Sequence, residues 1–244
     1  MKLLALIPAH NESASLASVV TDVRQHCPAC DVLVVDDAST DGTDEIAAAL
    51  GVRRLRLPLN VGVGAAVRAG LRYAAPLGFD AIVRIDGDGQ HRADQVERLV
   101  QPICDGQADA VLGSRYRRPP PGSSPATGGY ASPTVRRLAQ HLLARLLSYL
   151  SGQSVTDPTS GFWAFGPRAV RVLSEHHPTG YAEPELVLFL HRNGLRLVEV
   201  GTEMRPRLAG RTSLTAPRAG LAFARVLLAL IVVPLRAAVG ESRR

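Results

Sequence analysis

Asp86 and Asp88 stand one residue apart in the stretch IVRIDGDGQH, residues 82–91, where an apolar run ends. Two carboxylates held that close repel each other, so the pairing is favourable only with positive charge between them. Hard oxygen ligands at a strand end, with Gly87 for close approach and Gln90 as a neutral third ligand, suit Mg²⁺ or Mn²⁺. The cation would be held jointly with the phosphates of a substrate. Alone the triplet is weak evidence, because aspartates that cap or shape a turn produce the same pattern.

The elements that must position it can be read on either side. LLALIPA is a buried strand, and Asn11 or Ser13 is placed to cap a helix reaching about His26. DVLVVDD is a second strand, ended by the turn-rich ASTDGT, where Thr43 or Asp44 opens the next helix. VRRLRLP alternates as a third strand. GVGAAVRAGLRYAAPLG is a helix opened by glycines and closed by Gly78. DAIVRID is a fourth strand, and ADAVLGSR is another after a helix near residues 93–104. Strands separated by helices predict an α/β fold, a mostly parallel sheet with helices on both faces. Ligands of such sheets bind at the carboxyl ends of the strands. PAHNE, DDASTDGT, DGDGQ and GSR all collect there.

After Arg117 the pattern changes. Residues 118–133 are rich in Pro, Gly and Ser and read as a mobile loop, too long for a connector. Residues 134–151 place Leu138, Leu142, Leu146 and Leu150 on one helical face, with Leu143 and Leu147 beside it and Arg136, Arg137 and Arg145 around them. A core helix and a helix partly dipped into lipid both match that pattern.

Together, IPAHNE, VVDDASTDGT, NVGVGAAVRAG, DGDGQH, GSR, DPTSGF and RLAGRTS, in this order between residues 3 and 213, resemble the family-2 glycosyltransferases of GT-A fold. Within that family they resemble the dolichol-phosphate mannose synthases and bacterial polyprenyl-phosphate sugar transferases. The resemblance implies a Rossmann-like GT-A domain over residues 1–213. It also implies transfer of a sugar from GDP-mannose or a UDP-hexose to a polyprenyl (dolichyl or undecaprenyl) phosphate. It places Pro8, Ala9, Asn11 and Glu12 in the nucleotide pocket and Asp37 on the base or ribose. Asp86, Gly87, Asp88 and Gln90 would meet the metal and the donor diphosphate. Arg115, with Arg117 and Arg136 or Arg137, would meet the acceptor phosphate. Arg207, Gly210 and Thr212 match an R-x-x-G-x-S segment that closes over the diphosphate. Thr212–Ser213 replaces the family's usual Ser-Lys, so one lysine charge is missing. Asn60, Gly62, Gly64 and Arg68 match N-x-G-x-G…R, although these glycines serve tight helix packing equally well. Related enzymes with hydroxyl acceptors carry an acidic base where this chain has EPEL. Glu183 or Glu185 would be that group, and an acid favoured at a helix start explains them equally well. Asp88, Arg115 and Glu185 are the candidate catalytic residues.

The charges suggest the chemistry. A phosphate acceptor, with a second pKa near ~6, is already an anionic nucleophile at neutral pH and needs no strong base. Two anions must then approach each other, and Arg115, Arg117, Arg118, Arg136 and Arg137 supply the positive charge. One in-line displacement with inversion at the anomeric carbon is expected.

The net charge is +6, but residues 1–201 are balanced. From Thr202 onward, eight arginines face only Glu203 and Glu241. Residues 214–244 therefore read as a basic, apolar tail suited to an anionic membrane surface, with no nucleic-acid partner expected. Its longest apolar run, LLALIVVPL, is shorter than the ~20 residues that span a bilayer. A helix in the interface, one docked on a small integral membrane partner, or a core helix would each account for it. LLALI near the start is too short for a signal core. The expected location is cytoplasmic, peripheral on the inner face of the cell membrane. Cys27 and Cys30 follow a helical stretch and precede a strand, unlike a thioredoxin motif, and read as reduced loop cysteines. GVGAAV fails the dinucleotide fingerprint, which disfavours a dehydrogenase. Two alternatives stay open, a same-fold enzyme with a soluble acceptor such as phosphoglycerate and a silent nucleotide-binding scaffold.

Overall fold

Leu3–Ala9 is buried at every position, as a strand covered on both faces must be. In the computed structural model, which describes residues 1–117, 134–179 and 182–207, this strand (β1) is central to a seven-stranded sheet. The others are β2 (Cys30–Asp36), β3 (Arg53–Arg56), β4 (Ala81–Arg84), β5 (Ala110–Ser114), β6 (Trp163–Phe165) and β7 (Leu197–Gly201), in the order β3-β2-β1-β4-β6-β5-β7. Only β6 runs antiparallel to its neighbours, β4 and β5. The expected GT-A type of sheet, mostly parallel with helices on both faces, is what the chain forms.

Side-chain alternation along β1 sends each face into its own core. Leu4 and Leu6 pack with α3 (Val63–Ala74), α5 (Thr134–Ser151), α6 (Pro167–His176) and α7 (Ala182–Arg192). Leu3, Ala5 and Ile7 pack with α1 (Ser13–His26), α2 (Thr43–Ala49) and α4 (Val96–Cys104). From β1 the chain winds outward one way through β2 and β3, then returns to place β4 on the other side of β1. The crevice outside the carboxyl ends of β1 and β4 is therefore the topological switch point, where α/β sheets bind ligands. Because β6 is reversed, its beginning, not its end, reaches this same edge and brings Ser160, Gly161 and Phe162 there.

Two local expectations differ from what forms. Asn11 does not cap α1: its backbone is left-handed (φ 57°), and its Oδ1 accepts the Thr40 amide at 2.9 Å, so the side chain joins two loops instead. In α5 the buried stripe is Leu143 and Leu147, while Leu146 and Leu150 are half-buried and Leu142 is exposed. Cys27 ends α1 and Cys30 begins β2, as their spacing implies.

Gly70 lets α3 lie close against the sheet. A Cβ there would overlap Leu6 Cδ1 and approach Val35 Cγ2 to 2.9 Å. Gly70→Val is expected to destabilise by about 2 kcal/mol through overpacking. Urea denaturation should show a lower midpoint with an unchanged slope.

Candidate active site

The loops after β1 and β2 are tied into one wall. The backbone amides of Asn11, Glu12 and Ser13 donate to Ser39 Oγ, Thr43 Oγ1 and Asp41 Oδ2 at 2.9, 2.9 and 3.0 Å. His10 Nδ1 lies 2.7 Å from the Asp37 carbonyl. Asp37, expected on the base or ribose, is buried, and its two carboxylate oxygens accept the amides of Val61 and Gly62 at 2.8 and 2.9 Å. Its visible work is to anchor the glycine loop before α3. Gly62 there has φ 85°, a conformation that favours glycine, so one of the N-x-G-x-G glycines has a backbone reason.

The carboxylates converge beside this wall. A Cβ on Gly87 would sit 3.4 Å from both Glu12 Cγ and the Pro8 carbonyl, so the DGD turn lies directly against PAHNE. The Ser15 hydroxyl lies 2.9 Å from Glu12 Oε2 and 2.7 Å from the Gly87 carbonyl. Burial raises the Glu12 pKa, Ser15 partly opposes this, and the charges of Asp88 and Asp86 push it up further. Asp88 is buried; its Oδ1 accepts the Gln90 amide at 3.0 Å, and Arg207 Nη2 lies 3.0 Å from its Oδ2. Arg207 arrives because the chain after β7 crosses the DGD loop, pairing Met204 with His91 and donating the Arg205 amide to the Gln90 carbonyl at 2.9 Å.

Asp86 has a different set of partners. Its Oδ1 accepts from Arg84 Nε at 3.0 Å, and its backbone amide donates to His91 Nδ1 at 3.0 Å. With Nδ1 accepting, the neutral imidazole carries its proton on Nε2, which faces Asp86 Oδ2 at 3.9 Å. Burial, stronger than the pull of Asp86 and Asp88, lowers the His91 pKa, and the ring stacks on Phe162 at 4.8 Å. Burial would raise the Asp86 pKa, but Arg84 and then His91 outweigh it and hold the carboxyl below its usual range.

Among the described residues, no three His, Cys, Asp or Glu side chains group to enclose a metal by themselves. The donor chemistry nevertheless fits a divalent cation shared with a ligand. Asp86 and Asp88 are hard, ionic oxygen donors, and the Arg207 guanidinium already sits at Asp88 as a positive stand-in. Residues here can supply only part of a coordination shell.

On the far side of β4, Arg115 is bound twice to Asp157, with Nε and Nη2 each 2.7 Å from a carboxylate oxygen, and its Nη2 also donates to Thr159 Oγ1 at 2.8 Å. Asp157 is fully buried, and Glu199 of β7 accepts its amide and that of Thr156. Arg115 therefore fastens the DPTSGF loop. Arg117 is exposed. Arg136 and Arg137 fall in the first turn of α5, and their side chains, like Arg118, Gly210, Thr212 and Ser213, lie outside the described residues. Glu183 in the first turn of α7 is bound by Arg84, whereas Glu185 is half-buried on the same helix.

The glycosyl transferase family 2 profile matches residues 5–165, which includes both walls of this crevice. The chain belongs to that family. Relatives include an undecaprenyl-phosphate mannosyltransferase of Micrococcus luteus, 32% identical over 93% of each chain. Another is a UDP-N-acetylglucosamine–dolichyl-phosphate N-acetylglucosaminyltransferase of Methanococcus voltae, 30% identical over 80% of this chain and 82% of that one. Among solved structures, glucosyl-3-phosphoglycerate synthase of Mycobacterium tuberculosis in complex with Mn²⁺ and UDP-glucose superposes with a TM-score of 0.69. It is 25% identical, over 95% of this chain and 78% of that one.

In this family 2 glycosyltransferase, sequence reasoning missed Arg84, Asp157 and Gly161. A Cβ on Gly161 would come 2.5 Å from Asp86 Oδ2, so that glycine makes room for the carboxylate. One signal was present in the chain, an arginine within the apolar run IVRID, where a strand buried on both faces should carry none.

A raised carboxyl pKa in the fold means stability that is complete below the ordinary carboxylate value and is lost as pH rises through the folded value. Without divalent cation, Glu12→Gln should therefore raise the melting temperature at pH 7.5. The gain should shrink as pH falls and vanish near ~3, below the ordinary carboxylate value, where Glu12 is protonated in both states. Differential scanning calorimetry across that range checks the sign.

Proposed function

We propose that this glycosyltransferase moves a sugar from a nucleoside-diphosphate donor to a polyprenyl phosphate, with inversion at the anomeric carbon. The observation that carries the reading is the convergence of Glu12, Asp86 and Asp88, with Arg207 against Asp88, at the switch point of the sheet. The activities of the Micrococcus and Methanococcus relatives, on undecaprenyl phosphate and dolichyl phosphate, support the acceptor class. The donor is GDP-mannose or a UDP-hexose. Pro8, Ala9, Asn11, Glu12 and Asp37 form its nucleotide pocket, directly or by holding the wall.

Bound Mg²⁺ or Mn²⁺, held by Asp86, Asp88 and Gln90, would stabilise the negative charge that grows on the leaving diphosphate. Arg207 adds a second positive charge at the same place, and Thr212 follows it in the segment proposed to close there. The acceptor phosphate brings its own anionic oxygen, so the site has no need of a strong base. Glu183, ion-paired at 3.0 Å to Arg84, is poorly placed to be one, and Glu185 remains the candidate. The charge of Arg115 is already met by Asp157, so the acceptor phosphate falls mainly to Arg117, Arg136 and Arg137, while Arg115 fixes the DPTSGF loop.

No helix among the described residues is long and apolar enough to cross a membrane. Residues 118–133 as an acceptor loop and 214–244 as a basic anchoring tail extend the proposal, and both lie outside the described residues. The enzyme would work peripherally on the inner face of the membrane, alone or beside a small integral membrane partner.

A second reading, a phosphorylated soluble acceptor, is favoured by the likeness to glucosyl-3-phosphoglycerate synthase. The two separate in one assay, with GDP-mannose, UDP-glucose or UDP-N-acetylglucosamine as donor, Mn²⁺ or EDTA, and undecaprenyl phosphate in detergent or 3-phosphoglycerate as acceptor. Lipid-linked sugar should form only with the divalent cation. Asp88→Ala should lower kcat by roughly 10²–10³ with its circular dichroism unchanged. Exclusive use of 3-phosphoglycerate, or full activity of Asp88→Ala, would overturn the proposal.

A further inference from the structure

Arg84 is a charged side chain in the middle of the sheet. It lies on β4 opposite Leu6 of β1 and Trp163 of β6, and its side chain is 3% exposed. A cation there is strongly destabilising unless it is paired and hydrogen-bonded. Two carboxylates from distant parts of the chain meet that requirement. Nε donates to Asp86 Oδ1 at 3.0 Å, and Nη1 donates to Glu183 Oε1 at 3.0 Å. Burial works against its charge, but Asp86 and Glu183 more than reverse the effect.

The surroundings leave this bridge little freedom. Gly161 approaches so closely that an added Cβ would lie 3.0 Å from Arg84 Nη2 and 2.5 Å from Asp86 Oδ2. The Asp86 amide is held by His91, so the carboxylate can turn only about its side-chain bonds, and the guanidinium fork captures one oxygen. The other, Oδ2, faces the neutral His91 ring, whose Nε2 lies 3.9 Å away, beyond hydrogen-bond range. The fork thus selects which oxygen of Asp86 stays available. It also offsets one of the three converging negative charges from inside the sheet, and through Glu183 it links Asp86 to the first turn of α7.

We propose that Arg84 is a positioning residue for the donor site: it sets the orientation of Asp86 and ties that carboxylate to helix α7 through Glu183. The inference rests on the reading of Asp86 as part of the metal–diphosphate site. A planar fork can hold two carboxylates at fixed angles, which a lysine ammonium cannot do. Groups that orient a metal-binding side chain typically change metal affinity 10–100-fold when removed.

The test measures binding of Mn²⁺ to the full chain at saturating UDP by isothermal titration calorimetry, with Mn²⁺ electron paramagnetic resonance as a second readout. Arg84→Gln should weaken Mn²⁺ binding about tenfold or more. Arg84→Lys, which keeps the charge and loses the fork, should also weaken it. Gly161→Ala, which crowds Asp86 Oδ2 while leaving every charge in place, should do the same. If Arg84→Gln does not fold, the lysine and alanine variants carry the test. A role confined to filling the sheet would lower the melting temperatures and leave the Mn²⁺ affinity of the folded variants at the wild-type value, and that result would overturn the proposal. Absence of any Mn²⁺-dependent UDP binding by the wild type would instead refute the reading of the donor site.

Discussion

Negative charge gathered where β1 and β4 part is the constraint around which the rest of the molecule is arranged. Glu12, Asp86 and Asp88 come from two loops that touch at Gly87, and the charges of Asp88 and Asp86 make Glu12 harder to ionise. The fold holds them together by surrounding them with fixed donors: Arg84 from inside the sheet, Arg207 from the chain beyond β7, the Ser15 hydroxyl and the Gln90 amide. Such a site is poised for a cation. Its carboxylates are partly or wholly withdrawn from water and held by fixed donors, so a divalent cation bound there, as proposed above, would relieve their mutual repulsion.

The reversed strand β6 makes the opposite wall possible. Running antiparallel, it delivers Asp157, Thr159 and Gly161 to the same edge as the carboxyl ends of its neighbours. Buried Glu199 organises the start of that segment from β7, and Asp157 passes the order on to Arg115. Thr159 then receives Gln140 of α5 at 3.0 Å, and Gln140 accepts the Tyr116 hydroxyl at 2.6 Å. One hydrogen-bonded chain therefore runs from the last strand β7 to helix α5. The links at buried Asp157, Glu199 and Gln140 are the consequential ones, since an unpaired polar group there would have little water to replace its partner.

Period and punctuation alone made much of the architecture legible. Short continuous apolar runs such as LLALIPA and the β-branched DVLVVDD match strands buried on both faces, and the helical segments between them call for parallel crossovers. The polar motifs at the run ends therefore had to share one edge. The faces of weakly amphipathic elements were less legible. In α5, where leucines occupy nearly two stripes, contact with α7 and the sheet buries Leu143 and Leu147 and leaves Leu142 in solvent. Asn11 has the composition of a helix cap, yet a neighbouring loop outcompeted the helix for its side chain.

The sequence by itself determined the strand–helix alternation, the edge at which the site lies, and the presence there of two close carboxylates, because these depend on local period and on charges a few residues apart. Only the tertiary structure decided which partner each charge takes. Arg84 with Asp86 and Glu183, Arg115 with Asp157, Arg207 with Asp88 and Asp37 with the glycine loop are choices among many arginines, carboxylates and amides. Most of these pairings join residues far apart in the chain, and they follow from where the reversed strand and the last crossing segment bring the backbone.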